Sequence, residues 1–306
     1  MGKDKYRIVC RDRVLDLTGR PVIMGILNTT PDSFYDGGRF FCKEDANWID
    51  LTVAKALAME KEGAGIIDIG GESTRPGAER IDTEEELRRT IPVIRELRNR
   101  SDVLISIDTY KARVAEKALL AGAQIVNDIS GFRFDPDIGK VCRQHHAAAI
   151  LMHTTTRPEH MQWSHQTPDT AETPIMNRVM KELGAILNNA EKQGVDNIIL
   201  DPGFGFGKSV AENYELLRSL DTLHALERPL LAGVSRKSFL GKILQEDNSD
   251  TVPPPEKRLT ATIAANTAAV LNGANILRVH DVREALETVA VAVSVQNGMN
   301  PAGSDT

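Results

Sequence analysis

The sequence predicts an α/β fold, a single (β/α)8 TIM barrel with a short N-terminal hairpin, and three observations carry that reading. Short apolar runs recur eight times, each run is followed by a segment with helical spacing, and the 306 residues hold eight such units in sequence. A barrel of this kind takes ~250 residues. The runs are Ile23–Asn28, Ile66–Gly71, Val103–Asp108, Gln124–Asp128, Ala148–His153, Asn197–Asp201, Pro229–Ser235 and Ile276–His280. They are too short for helices and too continuously apolar for half-exposed strands. They read as strands buried on both faces, as in a parallel sheet covered by helices. A doubly wound open sheet is the competing architecture on pattern alone.

The segments between the runs supply the helices. Val114, Ala115, Ala118 and Leu119 share one helical face, as do Val282, Ala285, Leu286 and Val289. Thr83 followed by Glu86 reads as a capping box opening a helix through Leu97, and Pro92 inside it should cost one hydrogen bond and kink it. Gly63, Gly122, Gly194 and Gly273 each stand shortly before a new strand, where a helix C-cap belongs. Residues 1–18 include Ile8 to Leu17, a hairpin expected to plug the lower mouth of the barrel, and residues 19–296 form the barrel itself. Gln245–Lys257, with three consecutive prolines, is a polar insertion expected to be a mobile loop, and 297–306 a frayed tail.

Composition narrows the function. Lys plus Arg number 37 against 43 acids, a net charge of −6, which argues against nucleic-acid and membrane-surface partners. An anionic ligand must then be held by a local cluster of cations. Cys10, Cys42 and Cys142 are odd in number and form no CxxC pair, which favours a reducing, cytoplasmic setting. The first residues run into no apolar stretch, so they do not read as a signal peptide, and no segment approaches the ~20 apolar residues of a membrane helix.

The chemistry should lie where the strands end. Asn28, Asp108, Asn127, Asp128, His153, Asp201, Ser235 and His280 close the runs, and a barrel gathers every strand's C-terminal end on one face. Capping of the next helix explains any one of them and explains the set poorly. Three long glycine-rich loops follow strands at 28–38, 70–77 and 201–208, letting backbone N–H groups approach an anion or a flat ring. Phe34 and Phe206 on these loops either stack on a ligand or turn back into the core. Arg75, Arg236, Lys237, Arg278 and His280 all follow strand ends, concentrating cations at the same mouth. Other patterns fail. Gly203 to Ser209 ends in Gly-Lys-Ser, but Pro202 stands where a P-loop needs its first glycine, so Lys208 is expected to begin a helix with its charge mostly solvated. The histidines at 145, 146, 153, 160 and 165 match no zinc spacing, and His145-His146 reads as a solvated helix end.

Seven blocks taken in order carry a family resemblance. They are Met24–Asn28 with Thr30–Phe34, Asp68–Gly77, Ser106–Thr109, Asn127–Gly131, Asp201–Lys208, Ser235–Ser238 and Arg278–Val282. Together they resemble the dihydropteroate synthases. One departure is Thr155-Thr156-Arg157, where the family usually has a glycine ahead of the Pro-x-x-Met-Gln end; the proline-rich insertion also looks longer than usual.

That resemblance implies a transferase of folate biosynthesis and sulfonamide target, which joins p-aminobenzoate to 6-hydroxymethyl-7,8-dihydropterin pyrophosphate with Mg²⁺ and releases pyrophosphate, and it implies a homodimer. It places the pterin pyrophosphate against Thr74, Asp108, Asn127, Met152, Asp201, Lys237, Arg278 and His280. Asp201 would accept the parallel N–H donors of the amino-pyrimidine edge, and Lys237 would donate to the ring carbonyl. Asn28 would reach the Mg²⁺ that bridges pyrophosphate oxygens. The p-aminobenzoate would lie among Phe34, Arg75, Pro76, Phe206, Lys237 and Ser238. Asn28, Thr74, Lys237, Arg278 and His280 would carry catalysis by stabilising the departing charge. Three alternatives stay open: a pterin-dependent methyltransferase module, a Schiff-base aldolase using Lys237, and a non-enzymatic pterin-binding protein.

Overall fold

A computed structural model of the chain describes residues 6–29, 47–168, 173–246 and 251–298. Strands β1 (Arg7–Cys10) and β2 (Arg13–Asp16) pair antiparallel as the expected hairpin. Eight further strands follow: β3 (Val22–Asn28), β4 (Ile66–Gly70), β5 (Leu104–Asp108), β6 (Ile125–Asp128), β7 (Ala148–Met152), β8 (Ile198–Asp201), β9 (Leu231–Ala232) and β10 (Ile276–Val279). They form one parallel sheet in the order β8-β7-β6-β5-β4-β3-β10-β9. A single bridge from Leu200 to Leu230, with the Leu200 N–H donating to Pro229 O at 2.9 Å, joins the two ends into a barrel. The open sheet is thereby excluded.

Strand alternation sorts the side chains into two cores. Ile67 and Ile69, Ile105 and Ile107, and Leu277 and Val279 point outward into the main core shared with the helices. Met24, Ile66, Leu104, Ile125, Ile199, Leu231 and Ile276 point inward at the lower end, where Ile8, Cys10, Leu15 and Leu17 of the hairpin close the barrel. Above that layer the inward positions turn polar, so the upper barrel is a cup and not a packed core.

Helices α1 (Trp48–Lys61), α2 (Thr83–Arg100), α3 (Ala112–Ala121), α4 (Asp137–Gln144), α5 (Ile175–Lys192), α6 (Val210–Arg218), α7 (Ser238–Ile243), α8 (Leu259–Leu271) and α9 (Val282–Asn297) connect the strands. Gly63, Gly122, Gly194 and Gly273 all take positive φ at or just past helix ends, as the C-cap reading requires. No described helix is long and apolar enough to cross a membrane.

Four local expectations need correction or refinement. The N-cap of α2 is Asp82, whose carboxylate accepts the Glu85 N–H at 2.7 Å; Thr83 is the first helical residue, and Glu86 turns inward to a lysine. α2 continues through Pro92, leaving the carbonyl of Arg88 without its usual donor. β9 is two residues long where seven were expected, because Pro229 has no N–H to give and the chain turns at Arg236 with φ 56°. Leu286 is half exposed, resting on Gly63, while Val282, Ala285 and Val289 are buried as predicted. Part of the proline-rich insertion and most of the tail lie outside the described residues. The flank of the insertion is held by Arg258, whose Nε donates to Pro253 O at 2.7 Å.

Candidate active site

The cup is built on one ion cluster. β4 and β5 pair Asp68 with Ser106 and Gly70 with Asp108, which sets Asp68 one layer below Asp108 on the inner wall. Arg278 on β10 reaches across to both, with Nε 2.7 Å from Asp68 Oδ2 and Nη2 2.6 Å from Asp108 Oδ2. Asn127 at the end of β6 donates its amide to the same Asp68 oxygen at 3.0 Å. Burial works against the charge on Arg278, but the two carboxylates outweigh it and raise its pKa. Burial pushes Asp108 up to about 7 against the pull of Arg278. Asp68 Oδ1, Asp108 Oδ1 and Ser106 Oγ are buried with no protein partner, three acceptor positions on one wall of the barrel.

Above this cluster opens a cavity of about 190 Å³. Asn28, Thr74, Arg75, Pro76, Asp108, Phe206, Lys237, Ser238, Arg278 and His280 all line it, which brings ten of the predicted site residues to one place. Asp201 sits beside it, near Gly233 of the lining, and its Oδ1 accepts the Gly203 N–H at 2.7 Å. Burial raises the Asp201 pKa, with Lys237 and Arg278 opposing. Asn127 faces Asp68, and Met152 packs in an apolar cluster with Phe206, Met161, Ile129 and Tyr110. Phe34 lies outside the described residues.

Two elements carry the reactive rim. Lys237 caps α7 and lies with Nζ 4.1 Å from the Phe206 ring centroid. Burial first, and Arg278 second, lower its pKa to about 8. His280 follows β10 with Nδ1 3.0 Å from Ser235 Oγ, which also accepts the His280 backbone N–H at 3.2 Å. Burial and the surrounding arginines drive its pKa down to about 3, so the ring is neutral. The loop after β4 is pinned by Glu72: Oε1 accepts from Tyr110 and from the Ile81 N–H, and Oε2 from the buried Lys111. The Gly77 N–H donates to Pro158 O at 3.0 Å, tying that loop to the one after β7.

Several assignments change with the geometry. Arg236 lines the cavity as expected, but it is paired. Its guanidinium is bidentate on Asp281 at 3.0 and 2.5 Å, the contact of a residue holding the strand end in place. Lys208 is not solvated; it is fully buried, its ammonium turned onto backbone carbonyls. Phe206 does both things foreseen for it, packing into an apolar cluster while lining the cavity. His145 and His146 do end α4 at the surface, as expected. Asp68, Trp163 and Arg258 were given no role by sequence reasoning. A charged residue inside the run Ile66–Gly70 was the available signal for Asp68, whereas Trp163 comes from the loop after β7 and Arg258 from the helical turn leading into α8, whose placement no local pattern reveals.

A model of the pterin binding enzyme family matches residues 24–280 of this chain. The dihydropteroate synthase of Synechocystis sp. is 46% identical over 281 residues, covering 91% of each chain. The chain belongs to the dihydropteroate synthase family. Solved structures agree. The dihydropteroate synthase of Xanthomonas albilineans with 4-aminobenzoic acid superposes with a TM-score of 0.83 at 37% identity, covering 95% of this chain and 98% of that one. The Xanthomonas albilineans dihydropteroate synthase in complex with 7,8-dihydropteroate gives 0.79 at 36% identity over the same shares. Within this chain, the departure at Thr155–Arg157 packs closely: a Cβ on Gly207 would fall 2.1 Å from Thr155 Oγ1, and Arg157 lies 4.1 Å over the Phe134 ring.

Proposed function

We propose the following division of labour for the condensation of 6-hydroxymethyl-7,8-dihydropterin pyrophosphate with p-aminobenzoate to give 7,8-dihydropteroate and pyrophosphate. The observation that carries it is the wall of buried acceptors without protein partners, Asp68 Oδ1, Asp108 Oδ1 and Ser106 Oγ, together with the buried carboxylate of Asp201 at the end of β8. A buried acceptor without a donor costs about 1–3 kcal/mol, which a ring edge rich in N–H groups would recover. The pterin therefore lies deep in the cup, its amino-pyrimidine edge on Asp201 and its other polar edge on Asp108 and Asn127, with Met152 below the ring. Lys237 donates to the ring carbonyl.

The pyrophosphate points to the rim, against Thr74, Arg278 and His280. Ser235 Oγ accepts the His280 backbone N–H and lies 3.0 Å from Nδ1; in the tautomer whose Nδ1 accepts from Ser235, Nε2–H is a neutral donor for a phosphate oxygen. Among the described residues no cluster of three or more His, Cys, Asp or Glu forms a metal cage. Asn28, which lines the cavity, would hold Mg²⁺ through its amide oxygen, and one protein ligand suits an ion that keeps much of its own hydration. When bound, Mg²⁺ supplies charge neutralisation of the leaving pyrophosphate. The methylene–oxygen bond breaks, the electron pair leaves with pyrophosphate, and the amine of p-aminobenzoate forms the new carbon–nitrogen bond before releasing a proton to water. Phe34, Arg75, Pro76, Phe206, Lys237 and Ser238 seat the p-aminobenzoate.

The reading places the enzyme in the cytoplasm as a homodimer. Leu271 (41% exposed) on α8 and Val291 (62%) and Val295 (67%) on α9 form an apolar edge suited to a second copy. A continuous pyrophosphate-release assay with both substrates tests the function. Release should require p-aminobenzoate and Mg²⁺ together; pterin binding without release would point to a binding protein, and borohydride-trapped Lys237 to an aldolase.

A further inference from the structure

The glycine-rich loop 202–207 has no regular secondary structure, yet it carries Phe206 to the cavity. Gly203, Gly205 and Gly207 take φ of 72°, 78° and 61°, a backbone path that turns carbonyls toward the inside of the loop. Lys208 fills that inside. Its Nζ donates to Gly203 O at 2.7 Å, to Phe206 O at 3.1 Å and to His153 O, at the end of β7, at 3.4 Å. The side chain is fully buried, which lowers its pKa to about 7; Asp201 and Glu212 oppose this through space, with no ion pair to it among the described residues. Three backbone carbonyls thus supply the whole direct shell of a buried ammonium.

The fit leaves little slack. A Cβ on Gly203 would fall 1.9 Å from His153 O, and one on Gly205 would fall 2.9 Å from Lys237 Cδ. The Gly205 N–H donates to Asn213 Oδ1 at 2.6 Å, and the Asn213 amide returns to Lys208 O and Ser209 O, closing the loop onto α6. Phe206, whose carbonyl Lys208 holds, lies under the Lys237 ammonium.

We infer that Lys208 is a positioning residue: its ammonium organises the loop carbonyls as a bound cation would, fastening the loop after β8 to the end of β7 and setting Phe206 beneath Lys237. It touches neither substrate in the proposed arrangement. The inference rests on the assignment of Phe206 to the p-aminobenzoate side, so its removal should act on that substrate more than on the pterin.

Lys208→Ala in the full chain tests this, with steady-state kinetics for both substrates and circular dichroism to check the fold. The KM for p-aminobenzoate should rise about 10-fold or more, while that for the pterin pyrophosphate changes less than about 3-fold. Added n-propylammonium should recover part of the loss by refilling the carbonyl shell, and n-propanol, of similar shape without charge, should not. Unchanged p-aminobenzoate kinetics, or equal recovery by the alcohol, would overturn the assignment. Should Lys208→Ala fail to fold, Lys208→Met keeps the buried volume without the charge and carries the KM comparison for the two substrates. Loss of folding in both would show a general stabilising role instead. Wild-type turnover in the same assay separates this from the functional reading, because absent turnover there strikes the function and not the lysine.

Discussion

Replacing Asp68 by alanine probes the cluster on which the cup is built. Asp68 is completely buried, and one of its oxygens accepts from both Arg278 Nε at 2.7 Å and Asn127 Nδ2 at 3.0 Å. Alanine leaves the Arg278 guanidinium with Asp108 as its one ion-pair partner among the described residues and leaves the Asn127 amide without this acceptor. Breaking a buried pair costs about 3–5 kcal/mol, because a desolvated charge stays behind. The unpaired amide alone would cost about 1–3 kcal/mol. The two losses share a single oxygen and water can enter from the cup, so they do not add, and about 3–5 kcal/mol is expected for the whole. Asp68→Asn keeps an acceptor oxygen and should cost less than Asp68→Ala. Urea unfolding of the wild type and both variants, followed by circular dichroism, measures the difference. Asp68→Ala within about 1 kcal/mol of wild type would refute the reasoning, since Arg278 would then be held by something other than this pair.

Three further predictions concern the rim and the assembly. Lys237→Ala should nearly abolish pyrophosphate release with the fold intact; loss of its charge-assisted hydrogen bond accounts for about 1.5–3 kcal/mol in ground-state binding and for more in the transition state. In the proposed arrangement Lys237 acts as the cation, and its pKa is lowered to about 8, so kcat/KM should fall as pH rises through about 8. Lys237→Arg cannot lose its charge in that range, so its residual activity should lack this alkaline limb. Val291→Glu combined with Val295→Glu should convert a dimer into a monomer in sedimentation velocity, without loss of helicity.

The strands were legible because their signal is local. A parallel strand covered on both faces is apolar over most of its length, and a run such as Ala148–Met152 can be little else. The convergence of the strand-end residues followed from topology, so Arg278, Lys237 and His280 could be grouped before any distance was known. Local reading failed where two signals overlapped or the partner lay far along the chain. Asp82 with Glu85 and Thr83 with Glu86 are competing caps one residue apart, and Glu86 was already committed to Lys111, 25 residues away. Arg236 looked like a free cation because its partner Asp281 stands 45 residues later. Lys208 looked solvated because a lysine before a capping serine usually is; Ser209 does form a capping box with Glu212. Only the inward carbonyls of a loop with positive φ reveal where the ammonium goes.

The account turns on Asp201 reading the amino-pyrimidine edge of the pterin, and the dissociation constant of a pterin ligand for Asp201→Asn tests that most directly. The substitution puts an N–H donor where the ring presents its own donors and leaves buried groups unmatched. A loss on the order of 2–4 kcal/mol, roughly 30- to 1000-fold in Kd, is expected by calorimetric titration, with the fold unchanged by circular dichroism. An unchanged Kd would contradict the account, because the pterin would then lie somewhere other than the cup beside Asp108 and Asn127.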